Sequence, residues 1–115
     1  MSANLTGRLM TAVVSHNTSG DNAVIAAPTD GYIAIDHINF VPTSAVGVTF
    51  KSGVGGTATP LSGTYPLTEK QPVTLENTIQ HQDGVITCKR NEAFNISLDA
   101  GQLVSGFIRY RIIGA

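Results

Sequence analysis

Apolar and polar residues alternate along much of this chain with a period of two. Val46, Val48 and Phe50 alternate with Gly47, Thr49 and Lys51, as the two faces of a half-buried strand require. Phe94, Ile96 and Leu98 alternate in the same way with Asn95, Ser97 and Asp99. The closing stretch Leu103 to Ile113 places Val104, Gly106, Ile108, Tyr110 and Ile112 on one face and Ser105, Phe107, Arg109 and Arg111 on the other. From Tyr32, Ile33 and Ile35 share a face, but the next large pair, Ile38 and Phe40, has the opposite parity. Side chains cannot change face in a regular strand, so the slip predicts a β-bulge or bend near Asp36-His37.

Turn chemistry separates these runs. Thr11 to Ser15 and Ala23 to Ala27 flank the polar cluster Asn17 to Asn22 and read as a first hairpin. In Pro28-Thr29-Asp30-Gly31, Pro presets φ and Asp-Gly tolerates left-handed geometry. Gly53 to Pro66 exceeds an ordinary connection of about 4–6 residues, and reads as a functional loop or a crossover between sheets, with Leu61 and Tyr65 pinned to the core. Leu67 to Glu69 and Val73 to Leu75 are weaker elements, separated by Pro72; Gln80 to Gly84 is a loop tip and Val85 to Lys89 a further strand. About eight antiparallel strands with turn signals every ~8–12 residues and no significant helix predict an all-β, jelly-roll-like β-sandwich. Residues 1–8 lack alternation and are expected to form a flexible N-terminal arm, leaving 9–115 as a single domain.

Composition sharpens the class. At 115 residues the chain suits one domain. Val, Ile and Thr total 33, and β-branched side chains favour strands. Only 13 % of residues are charged, with Lys+Arg 7 against Asp+Glu 8. So balanced a chain lacks the cation surplus that phosphate contacts need, which argues against nucleic acid. Ser, Thr, Asn and Gln number 32, giving a nearly neutral polar surface that resists association poorly. No apolar segment approaches the ~18 residues of a membrane span, and Leu9 to Val14 after Arg8 is too short a run for a signal peptide. A lone Cys88 allows no internal disulfide, which favours folding in a reducing cytosol. Without secretion, the sequons at Asn4, Asn17 and Asn95 carry no meaning.

Candidate chemistry is sparse. His16, His37 and His81 stand far apart, and the local pairs Asp36-His37 and His81-x-Asp83 read as solvated turn residues rather than ligands. No Gly-x-Ser-x-Gly elbow is present, and Gly53-Val54-Gly55-Gly56 lacks the ending of a phosphate loop. Cys88, alternating with Ile86, reads as an inert buried thiol. These residues predict neither an enzyme nor a cofactor or metal site. Arg109 and Arg111 are expected on one strand face about 7 Å apart, with Tyr110 turned inward. With Arg8 they are the candidate contacts to an acidic partner surface, where Arg binds carboxylates in a planar fork.

The order of motifs carries a resemblance. Val48-Thr49-Phe50-Lys51-Ser52-Gly53, then Thr59-Pro60-Leu61-Ser62-Gly63 and Pro66-Leu67, then Asn91-Glu92-Ala93-Phe94-Asn95-Ile96-Ser97-Leu98, then Val104-Ser105-Gly106-Phe107-Ile108-Arg109-Tyr110 resemble the small β-sandwich proteins that decorate the heads of tailed bacteriophages. The resemblance covers roughly residues 20 to 113. It implies a homotrimer on the capsid exterior that clamps the major capsid protein, folded in the host cytoplasm, with no nucleic-acid or membrane partner. The competing reading is a carbohydrate- or receptor-binding jelly-roll module of a phage fibre or tail; aromatic platforms are expected there, and this chain has no Trp.

Overall fold

The computed structural model describes residues 7–53, 58–79 and 81–114. Among these residues ten strands follow one another: β1 (Met10–His16), β2 (Gly20–Ile25), β3 (Tyr32–Pro42), β4 (Val46–Ser52), β5 (Thr59–Pro60), β6 (Tyr65–Leu67), β7 (Val73–Glu76), β8 (Ile86–Thr87), β9 (Phe94–Leu98) and β10 (Val104–Ile113). The front sheet has the order β1-β10-β3-β7, with β8 also on β3; the back sheet has the order β2-β9-β4-β5, with β6 also on β4. All pairings are antiparallel. Counting β5 with β6 and β7 with β8 as two interrupted strands, the chain changes sheet at every connection except that from β4 to β5. The result is the all-β, two-sheet antiparallel sandwich the alternation predicts.

The inward residues of the two sheets form one core, from Val14, Ile33, Ile35, Ile38, Phe40, Val104 and Ile108 in front to Val48, Phe50, Phe94, Ile96 and Leu98 behind. Phe50 joins the layers: it meets Phe40 edge-on at 6.2 Å, stacks on Phe94 at 5.9 Å and touches Tyr65 at 5.6 Å. The expected bulge is present. Arg109 stands opposite His37 and Tyr110 opposite Ile35, so Asp36 is the extra residue of β3. One inserted residue is what lets Ile33 and Ile35 share the core with Ile38 and Phe40.

Three expectations are corrected. β1 and β2 form no hairpin: β1 pairs with β10 in front and β2 with β9 behind. The connecting turn is a corner between sheets, held by Asn22 Nδ2, which donates to the carbonyls of Thr18 and Gly20 at 2.8 and 3.1 Å. The segment from Gly53 to Pro66 is no crossover, because β5 and β6 both return to β4; Leu61 and Tyr65 do pack on the core, and residues 54–57 lie outside the described residues. The strand expected at 85–89 is shorter, with Ile86 and Thr87 in register with β3 and the Val85 and Cys88 N–H groups donating to the Ile35 and Ile33 carbonyls on either side. Residues 1–6 of the expected arm also lie outside the described residues, whereas Gly7 sits against Arg111 and Ile112 of β10.

Candidate functional site

The two sheets differ most on the faces they turn away from the core. On the front sheet, register places Thr11, Arg109, His37 and Glu76 in one row across four strands. The adjacent row on that face is Val13, Phe107, Asn39 and Thr74, followed by Ser15, Ser105 and Val41. His37 lies flat on the Phe107 ring, 5.3 Å between centroids and 6° between planes, and its Nδ1 stands 3.6 Å from Glu76 Oε1. The Arg109 guanidinium lies 5.9 Å from the same ring. With two inter-strand spacings between them, Arg109 and Glu76 are held about 10 Å apart. Apolar side chains surround these charges: Val13 is 74 %, Leu9 49 % and Val41 37 % exposed.

One end of this face is built over. The β7–β8 loop folds onto the bulge, where Asn77 N–H donates to the Asp36 carbonyl at 2.8 Å and Asn77 Nδ2 donates to Asp36 Oδ1 at 3.0 Å. Arg111 grips the same carboxylate in two places, Nε to Oδ2 at 2.6 Å and Nη2 to Oδ1 at 2.9 Å, and Nη2 also donates to the Gln82 carbonyl at 2.7 Å. Gly84 closes the loop at φ 70°, and a Cβ there would lie 2.1 Å from the Ile35 carbonyl oxygen, so glycine alone fits. Tyr32 donates to Asp83 Oδ1 at 2.7 Å, and this bond, helped by burial, raises the phenol's pKa. A cleft of about 440 Å³ opens between Leu9, Glu76, Thr78 and Arg109, with the Asp36–Arg111 pair in its lining.

This geometry corrects the reading of the last strand. Arg109 is exposed as expected, but Arg111 is 2 % exposed, its charge neutralised by Asp36 within the fold. It is an internal clamp on the bulge rather than a surface cation. Arg8 is exposed at the entry to β1. Tyr110 turns toward the core. The sequence reading missed His37, Glu76, Phe107 and Val13 as partners of Arg109, since only strand pairing brings them together.

Elsewhere most polar groups find partners within the fold, the exception among the described residues being Asn95 Oδ1, which is buried without one. His81 Nδ1 accepts the Asp83 N–H at 3.1 Å. Cys88 is buried, and burial pushes its thiol up to about 12, with the Ser52 hydroxyl acting in the opposite sense; it stays protonated at neutral pH. Ser52 donates to Glu92 at 2.8 Å and accepts the Lys89 N–H at 2.9 Å. No group of three His, Cys, Asp or Glu side chains suited to a metal ion occurs among the described residues. The outer face of the back sheet is small and polar: Asp21, Ser97 and Thr49 form one row and Ala23, Asn95, Lys51 and Pro60 the next. Lys51 pairs with Asp21 at 3.3 Å, and the Thr49 and Thr64 hydroxyls share a 2.7 Å bond. No protein-family model and no curated protein matches this chain.

Proposed function

We propose that this chain is a structural virion protein, a head decoration protein that binds the outside of an assembled bacteriophage capsid as a homotrimer. The observation that carries the reading is the outer face of the front sheet, where exposed Leu9, Val13 and Val41 surround Phe107 and the cation of Arg109. Apolar anchors ringed by a few charges are the composition of a protein contact. The resemblance of the motif order to capsid-decorating sandwiches supplies the partner, the major capsid protein. A protein that binds only the assembled shell stabilises it by mass action, and three linked subunits add avidity; neither task needs a cofactor.

The test is to titrate purified protein onto matching empty capsids and, in parallel, onto a glycan array. Saturable capsid binding in multiples of three is expected, and Arg109→Glu should weaken it at least tenfold without lowering the melting temperature. Glycan binding without capsid binding would overturn the proposal in favour of a fibre or tail module.

A further inference from the structure

Three edges of this sandwich carry features that discourage further pairing, and the fourth does not. At the far edge of the back sheet, β5 and β6 have two and three residues and contain Pro60 and Pro66. At the far edge of the front sheet, β7 has four residues and the charge of Glu76, and β8 only two. β2 is interrupted by a register shift between Ala23 and Ile25, carries Asp21, and has its Gly20 carbonyl taken by Asn22. Short length, proline, charge and bulges are the usual protections of an open edge. β1 has none of them: its seven residues, Met-Thr-Ala-Val-Val-Ser-His, run in unbroken register with β10, and among the described residues no strand lies on its other side.

We infer that β1 pairs with β1 of a second copy of this chain, antiparallel about a two-fold axis through Val13. The register is self-complementary, as an isologous contact must be. Val13 meets Val13, Thr11 meets Ser15, Ala12 meets Val14 and Met10 meets His16. Because Phe107 is the β10 neighbour of Val13, the pairing creates a continuous apolar row, Phe107-Val13-Val13-Phe107, across the joined front sheets. It covers the most exposed large apolar side chain of any strand, Val13 at 74 %, with a β-branched cross-strand pair. No like charges collide. The two Arg109 side chains would lie three strand spacings and four residues apart, about 20 Å, against a Debye length of about 8 Å. This contact shares Val13 with the face proposed for the capsid but does not rest on that reading: it joins one trimer to the next, or one monomer to another.

Seven residues make a small interface, so association is expected to depend on concentration. Sedimentation equilibrium over a concentration series tests it with the wild type, Val13→Lys, and Val13→Thr, which keeps the β-branch. At concentrations where the wild type has associated, V13K should have half its mass and at least tenfold weaker self-association, with V13T resembling the wild type. A cooperative thermal melt at the wild-type temperature shows that V13K is folded; if it is not, Thr11→Lys/Ser15→Lys, which sets lysines opposite each other on both sides of the axis, replaces it. Equal masses for the wild type and a folded lysine variant at every concentration would overturn the pairing. Whether the halved particle is a trimer or a monomer reports separately on the homotrimer.

Discussion

The two outer faces of the sandwich are made from the same strand chemistry and finished in different ways. On the back sheet, the exposed positions are Thr, Ser, Ala and Pro, and the one cation there, Lys51, is answered by Asp21 on the neighbouring edge. On the front sheet, one cation, Arg111, is buried against Asp36, while the other, Arg109, stays exposed beside Phe107 and Val13. The contrast separates two uses of arginine on one strand. Two residues apart, one holds the fold and the other stays at the surface. A finished face costs nothing to expose to water, whereas a face carrying Leu9, Val13 and Val41 gains by being covered, at about 25 cal/mol per Å² of apolar area.

The largest effect should come from breaking the internal arginine. Asp36→Ala leaves a buried guanidinium uncompensated and is expected to cost about 3–5 kcal/mol of stability in urea unfolding; a loss below about 1 kcal/mol would show that the clamp does not hold the bulge. Next comes the pair of adjacent valines. Val14, 1 % exposed, should cost about 2 kcal/mol when changed to Ala, and Val13, on the outer face, less than about 0.5 kcal/mol in the dissociated protein. Equal costs would mean that the strand does not present these faces as described.

Between the two faces, the core has its own signature in Cys88. Burial pushes its thiol up to about 12, so the folded state keeps a proton that the unfolded chain loses first. The stability tied to that proton is fully present below pH 9 and is lost as pH rises from about 9 to 12, by up to about 1.4 kcal/mol per unit. Comparing wild type with Cys88→Ala over that range should show the extra slope only in the wild type, and native protein at pH 8 should react with a thiol reagent only as fast as it unfolds. The smallest effect belongs to the back face: Lys51→Met should cost no more than about 1 kcal/mol, less in high salt.

Much of the fold was legible because period-two alternation with large side chains leaves little freedom. It placed β4, β9 and β10, and the parity slip located the bulge at Asp36. Sheet membership was not legible at the first turn, because Asn, Ser and Gly signal that the chain reverses without saying whether it stays in its sheet. The site was half legible. Arg109 could be read from its strand parity, but the burial of Arg111 depends on Asn77 and Gln82, which arrive on a loop distant in sequence, and the row through His37 and Glu76 exists only once β10, β3 and β7 are in register.

The central claim is that the front sheet, not the back, is the contact face. Hydroxyl-radical footprinting of the free protein, at a concentration where it is dissociated, and of the capsid-bound protein tests it directly. Labelling of Leu9, Val13 and Phe107 should fall on binding, while that of Pro60, Pro66 and Lys51 stays unchanged. Protection of the back-face residues with the front face still labelled would contradict the account.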